Sequence, residues 1–348
     1  MIRMVVFSVI AFGVAYLLYV FPVLALLSLF RDSDILGVWS LAPTVVVFLL
    51  LRLYLATSIT TPLLKAFVFY GMGIGFLSTL ILSAVLFVGW LGGFDGPTLG
   101  ISACLLIASV TMVAVRNANS FVVRDLAFVS PKIARPVRFG FISDVHIGSN
   151  PPRHLQKICD HLRSCEIDGL LIGGDLFDAS DFRLEDIDAL RCLKTDIHFV
   201  TGNHEGYVGG FKDILSQFPD FNIKVLDNAA EAVQGVNLIG VSDMQSAAAK
   251  IRTVDSLHRD DLFNIALVHQ PSIWRRTESQ VDLMLCGHTH NGQIFPFNLL
   301  VRLQFRYVYG LFVEGASNLL VSSGVGCWGP RMRLGSRNEI LMIDLRPA

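Results

Sequence analysis

The chain has 348 residues, 53% of them hydrophobic and 16% charged, with a mean hydropathy of +0.56. That is too apolar for an ordinary soluble protein of this length, so part of the chain is expected in a membrane. The formal net charge of -1 and the lack of a basic run with interleaved aromatics argue against polyanion binding, and no nucleic-acid partner is expected.

Met4 to Phe30 is an unbroken apolar run, long enough to cross a hydrocarbon core of about 30 Å. Arg3 precedes it as in a cleavable signal peptide, but the run is too long for one and further apolar runs follow. Leu36 to Leu55, with Pro43 and Arg52, the glycine-rich Ala66 to Leu91, and the short uncharged Leu99 to Val115 complete an all-α transmembrane region of about four helices over residues 1–115. With four spans, Arg3, Arg52, Lys65, Arg116 and Arg124 fall on one side, against Arg31 with Asp32, Asp34 and Asp95 on the other. The positive side faces the cytoplasm. This predicts a multi-pass inner (plasma) membrane protein whose termini and polar half are cytoplasmic. The six cysteines (Cys104, Cys159, Cys165, Cys192, Cys286, Cys327) are scattered without C-x-x-C spacing and read as reduced thiols.

Residues 116–135 read as a juxtamembrane linker. From Pro136, short apolar runs alternate with amphipathic stretches, the rhythm of an α/β fold, and residues 136–348 suffice for one domain with its own core. Strands are expected at Val137 to Ile142, Gly169 to Ile172, Ile197 to Val200, Val236 to Val241, Ile265 to Val268, Leu283 to Cys286, Leu319 to Ser322 and Glu339 to Leu345. Helices are expected at Pro152 to Cys165, Leu184 to Leu193 and Phe211 to Phe218.

Polar clusters close several of these runs: Asp144-Val-His146, Gly174-Asp175-Leu-Phe-Asp178, Gly202-Asn203-His204-Glu205, Val268-His269 and Gly287-His288-Thr-His290. Five of the nine histidines lie in them. Ligands two apart, as in Asp144 and His146, point the same way if strand geometry persists, and His288 with His290 repeats the spacing. Gly174, Gly202 and Gly287 permit sharp turns and close approach to an ion or phosphate. Imidazole, carboxylate and amide oxygen together suit a first-row divalent metal such as Mn, Fe or Zn. A lone Asp-x-His is more often a turn or cap; five such clusters at strand ends point to a metal site. His154 and His161 on a surface helix, His198 at a strand start and His258 in a charged loop read as packed or solvated imidazoles.

The ordered set Asp-x-His, Gly-Asp-x-x-Asp, Gly-Asn-His-Glu, His, Gly-His-x-His resembles the calcineurin-like metallophosphoesterase superfamily from about Val137 to Leu345. The Gly287-His-Thr-His-Asn-Gly-Gln293 form and Gly-Val-Gly-x-x-Gly-Pro-Arg at 324–331 are most similar to its membrane-associated bacterial members, the YkuE-like subgroup. The resemblance implies a four-layer sandwich, two mixed β-sheets flanked by helices, and two divalent metal ions. Carried over residue by residue, Asp144, His146 and His290 would hold one metal and Asn203, His269 and His288 the other, with Asp175 bridging. His204 would be catalytic, stabilising charge on phosphorus or protonating the leaving oxygen, and Asp178 would support the site. The implied reaction is attack of a metal-activated hydroxide on a phosphate ester or diphosphate. Glu205 stands where Asp is frequent and Gln270 follows His269; neither removes a ligand.

Arg331 and Arg333, clustered with Arg337, are candidate contacts for a substrate phosphate. Ile294 to Leu303 is unusually apolar for a loop after the last histidine pair and reads as core or as a lipid contact. The expected substrate is a phosphorylated small molecule or lipid-linked phosphate at the membrane. A tethered phosphodiesterase or phosphatase for soluble nucleotides, and a non-catalytic membrane sensor or scaffold, are the alternatives.

Overall fold

The structure, a computed structural model, describes residues 2–31, 37–56 and 61–348. The side chain of Arg3, together with Asp32, Asp34 and Leu36, lies outside that description. Contacts divide the chain into two compact units, Met1–Arg116 with Gly329–Met332, and Asn117–Trp328 with Arg333–Ala348.

In the first unit, α1 (Ile2–Ala15), a π turn (Tyr16–Val20) and α2 (Phe21–Phe30) run on as one apolar helix. Pro22 has no N–H to offer the carbonyl of Leu18, four residues back, and the helix widens into the π turn there. A second helix covers the loosened backbone. On α4 (Pro62–Gly92), which follows α3 (Leu41–Ala56), the Thr79 hydroxyl donates to Leu17 O, and Tyr19 Oη donates to Val68 O at 2.7 Å. Gly71, Gly75 and Thr79 share one face of α4, and a Cβ at Gly75 would sit 1.7 Å from Leu18 O. Gly75→Val is therefore expected to cost about 3 kcal/mol, the upper end for overpacking, read as a lower melting temperature in detergent.

Val5–Phe30, Pro62–Gly92 and Gly96–Ala118 (the last being α5) are long and apolar enough to cross a membrane. The apolar helix expected as the second span is shorter, Val38–Tyr54. Its α3 portion of 16 residues extends only about 24 Å.

The second unit holds two six-stranded mixed sheets. Its strands are β1 (Phe121–Ser130), β2 (Val137–Ile142), β3 (Gly169–Ile172), β4 (Ile197–Phe199), β5 (Ile223–Val225), β6 (Ala229–Val233), β7 (Val236–Val241), β8 (Phe263–Val268), β9 (Leu283–Cys286), β10 (Gly310–Glu314), β11 (Ser317–Val321) and β12 (Asn338–Pro347). The sheet orders are β1-β12-β2-β3-β4-β5 and β10-β11-β9-β8-β7-β6. Phe139, Phe141, Leu171, Leu238, Leu267 and Leu285 fill the space between the sheets. Leu155, Ile158 and Leu162 of α6 (Pro152–Ser164) cover one outer face. Val254 of α8 (Ala247–Leu257) and Trp274 of α9 (Trp274–Thr277) cover the other; a short α7 (Phe211–Leu215) packs nearer the first. Strands buried on both faces read as continuous apolar runs, which is why β2, β3, β7 and β9 stand where the sequence predicts them.

Two expectations change. The supposed linker 116–135 contains β1, an edge strand paired in parallel with β12 from the far end of the chain. Arg124, counted above as a membrane-flanking charge, lies within β1 and pairs with buried Glu339 at 3.3 Å. The expected helix at Leu184 to Leu193 is a 3-10 turn, Leu184–Cys192.

Candidate metal centre

The five polar clusters follow β2, β3, β4, β8 and β9, inner strands of the two sheets, so both sheets deliver side chains to one crevice beyond their carboxyl ends. The backbone there is not extended. Asp144 (φ 55°), His146 (φ 50°), Asp175 (φ 53°), His288 (φ 72°) and His290 (φ 50°) all adopt the left-handed conformation. Strand alternation therefore does not align Asp144 and His146, as their spacing had suggested; both reach the centre through strained turns, each costing about 1–3 kcal/mol. Cross-links hold the turns. Asp144 N donates to Gly174 O and His146 N to Asp175 O, both at 3.0 Å, and Gly326 N donates to Asp144 O at 2.9 Å. Two glycines admit the close approach: a Cβ at Gly287 would lie 2.3 Å from Asp144 Oδ2, and one at Gly174 2.7 Å from His269 Nδ1.

Asp144, His146 and His290 form one group with ligand atoms within 4.8 Å of one another, and Asp175, His269 and His288 form another. His290 Nε2 is 3.4 Å from Asp144 Oδ1 and 3.1 Å from His146 Nε2. Asp175 Oδ2 lies between the groups, 3.1 Å from His269 Nε2 and 3.8 Å from His146 Nε2. Burial alone would raise the Asp175 carboxyl; the imidazoles of His269, His146 and His204 outweigh it and hold it well below the usual carboxylate range. Burial lowers His269, yet the Asp175 carboxylate carries it up to about 10. Burial and the neighbouring His269 push His288 down to about 4. The crevice therefore attracts positive charge while keeping part of its imidazole set neutral.

Asn203 Oδ1 is buried with no hydrogen-bond partner, which is costly unless a cation meets it, and buried His269 Nε2 has the Asp175 carboxylate at 3.1 Å. With carboxylate and imidazole beside them, the residues present fit divalent metals. Asp178 Oδ2 is 3.2 Å from His146 Nδ1 and accepts from Ser149 Oγ at 2.6 Å, while Asp178 Oδ1 accepts from Ser149 N at 2.9 Å, so the carboxylate orients the ring from behind. His204 donates from its backbone N to Asp175 Oδ1 at 2.8 Å, and its Nε2 is 4.0 Å from Asp175 Oδ2. It also falls within 4.8 Å of ligand atoms of His146 and Asp178. Burial and nearby His146 lower its proton affinity. Exposed Tyr207 and Trp328 flank its ring at 5.2 and 5.6 Å.

Arg333 is fully buried, which takes it out of reach of a substrate. Its Nη2 donates to Ser323 O and Gly326 O, both at 2.6 Å, and lies 3.2 Å from His290 Nδ1; its Nη1 donates to His290 O at 3.2 Å. It thus fixes the orientation of His290. Arg333→Met is expected to weaken metal retention about 10–100-fold, measured by calorimetric titration of the stripped protein with Mn. Arg331 is half-buried in the Gly329–Met332 segment.

Three further supports escape the sequence reading. Glu205 is buried and accepts from Asp175 N (3.1 Å), Leu176 N (2.7 Å), Phe177 N (3.3 Å) and Gly202 N (2.7 Å), tying the β3 turn to the β4 turn. Burial and Asp175 push its carboxyl up to about 7. Gln293 accepts from Trp328 N at 3.0 Å and donates to Trp328 O at 3.1 Å, fixing that residue beside His204. His154, expected on a helix surface, is buried with Nε2 2.7 Å from Val325 O, because its face of α6 turns inward.

Two mixed sheets whose inner strands bring imidazoles and carboxylates to a shared crevice define a metal-binding α/β sandwich. The profile of the calcineurin-like phosphoesterase family matches residues 137–292. The chain is 34% identical over 237 residues to an uncharacterised metallophosphoesterase of Helicobacter pylori, covering 65% of this chain and 64% of that protein. It is 32% identical over 244 residues to phosphodiesterase YaeI of Escherichia coli, covering 63% of this chain and 86% of that one. A transmembrane protein with metallophosphoesterase domain from Danio rerio is 28% identical over 241 residues, 63% of this chain and 55% of that protein. The chain belongs to the calcineurin-like phosphoesterase family, and its apolar helices place it in a membrane.

Proposed function

We propose that the chain is a membrane-anchored, binuclear metal-dependent phosphoesterase. The observation that carries this reading is the convergence of Asp144, His146, Asp175, His269, His288 and His290 from both sheets, with Asn203 Oδ1, one residue before His204, buried and unsatisfied. Asp144, His146 and His290 would hold one cation and Asn203, His269 and His288 the second, with Asp175 common to both. Two divalent ions, Mn, Fe or Zn, supply charge that lowers the pKa of water and neutralises phosphoryl oxygens.

The protein's own part is orientation and proton handling. Asp178 and Arg333 set the rings of His146 and His290, and Glu205 keeps the Asp175 turn and the Gly202 turn in register. His204 is placed to give a proton from its imidazole to the leaving oxygen or to stabilise charge on phosphorus. Tyr207 and Trp328 wall its open side, where a leaving group would rest. The YaeI relative is called a phosphodiesterase, which favours diesters as substrates. The test is turnover of bis-p-nitrophenyl phosphate against p-nitrophenyl phosphate by the Mn-loaded full chain; absence of hydrolysis of either ester contradicts the reading.

Taking α3 as a span of an inner-membrane protein would leave the catalytic unit on the cytoplasmic side. If α3 is too short to cross, a reporter fused after Ala348 reports the opposite face.

A further inference from the structure

The segment after the last histidine pair forms α10 (Phe297–Gln304), and its surface is inverted relative to an ordinary surface helix. Leu299, Leu300 and Leu303 point outward, Leu303 being 85% exposed, while Asn298 faces inward. At 100° per residue, the three leucines share one face. Phe295 and Phe297, at and just before the start of the helix, are half exposed as well. Arg302 and Arg306 are exposed beside this face, and the sequence from Ile294 to Arg306 contains no acidic residue. An apolar face whose own segment carries exposed arginine and no carboxylate matches the boundary between acyl chains and anionic headgroups.

This helix is joined to the metal centre at both ends. At its start the backbone lies against Gly292, where a Cβ would be 2.2 Å from Asn298 Cα, and Gly292 is two residues beyond His290. At its end the Phe305 ring meets the His288 ring edge-on, with centroids 5.3 Å apart. The position of α10 and the position of two candidate ligands are therefore mechanically linked.

We propose that α10 is a lipid-docking helix, which seats the metal crevice against the surface of the bilayer that holds the rest of the chain. Chain connectivity supports a lipid occupant: α5 ends at Ala118 and β1 begins at Phe121, so two residues join an apolar helix to the unit that carries α10. A second copy fits less well, since a stable dimer buries about 800 Å² per partner and an eight-residue helix presents less. The docking rests on the membrane location; that it serves delivery of a lipid-borne phosphate rests on the phosphoesterase reading above.

The experiment places dansylalanine at position 303, at 299, or at the fully exposed Asp260 in the Mn-loaded full chain, reconstituted in nanodiscs of phosphatidylcholine and phosphatidylglycerol. Phosphatidylcholine with brominated chains is then substituted for the ordinary lipid. The expected result is loss of emission at 303 and 299 and none at 260. Emission at 303 unaffected by bromine overturns the proposal, as does a blue shift at 303 without quenching in a particle of dimeric mass, which assigns the face to a second copy. Hydrolysis of bis-p-nitrophenyl phosphate and of p-nitrophenyl phosphate is measured on the same samples: quenching with turnover of neither leaves the docking standing and removes the phosphoesterase reading, and turnover without quenching does the reverse.

Discussion

Asp175→Asn is expected to lower kcat/KM for phosphoester hydrolysis on the order of a thousandfold, the loss of several kcal/mol of charge stabilisation at about 1.4 kcal/mol per decade. The carboxylate stands between both ligand groups, 3.1 Å from His269 Nε2 and 3.8 Å from His146 Nε2, and no other carboxylate belongs to the second group. An amide keeps the volume and one oxygen for the His204 N–H, so the fold is expected to survive. What it loses is the negative charge that draws cations into a crevice otherwise rich in imidazole. Metal content by mass spectrometry should fall while the melting curve keeps a single cooperative transition. A variant within tenfold of the parent would show that Asp175 is not shared between metals.

His204→Ala is expected to lower kcat by about 10²–10⁴ with metal content unchanged. The imidazole sits at the rim of the crevice, beside Asp175 and between two exposed aromatic rings, and is not needed to complete either proposed ligand triad. The loss should be smaller for p-nitrophenyl esters than for alkyl esters, because a good leaving group needs little help from a proton. Metal loss on substitution would instead make His204 a ligand, in the group it forms with His146 and Asp178.

What was legible in the sequence follows from where each element is buried. Strands β2, β3, β7 and β9 are enclosed on both faces, so local composition alone reveals them. Strand β1 carries Arg124 and Asp125 in its middle and depends on β12, more than two hundred residues away, for its pairing; no local pattern discloses that. Short edge strands such as β5 and β6 are hidden for the same reason. Helix α10 was visible as an apolar stretch, but whether its leucines face inward or outward is a tertiary property.

The candidate ligands were legible because their chemistry is concentrated in short clusters. Their supports were not. Arg333 resembles a surface phosphate contact until Ser323 O, Gly326 O and His290 are seen around it, and Glu205 resembles a minor substitution until four backbone N–H groups converge on it. The left-handed backbone at five of the seven candidate ligands is likewise invisible, since Asp and His do not announce positive φ as glycine does.

The central claim is that phosphoester hydrolysis depends on metals held by these side chains. Full-length protein stripped with chelator, assayed on bis-p-nitrophenyl phosphate before and after titration with Mn, tests it most directly. The expected result is no turnover when stripped, recovery as two equivalents bind, and no comparable recovery in Asp175→Asn. Equal turnover with and without metal, or two bound equivalents without turnover of any phosphoester, would contradict it.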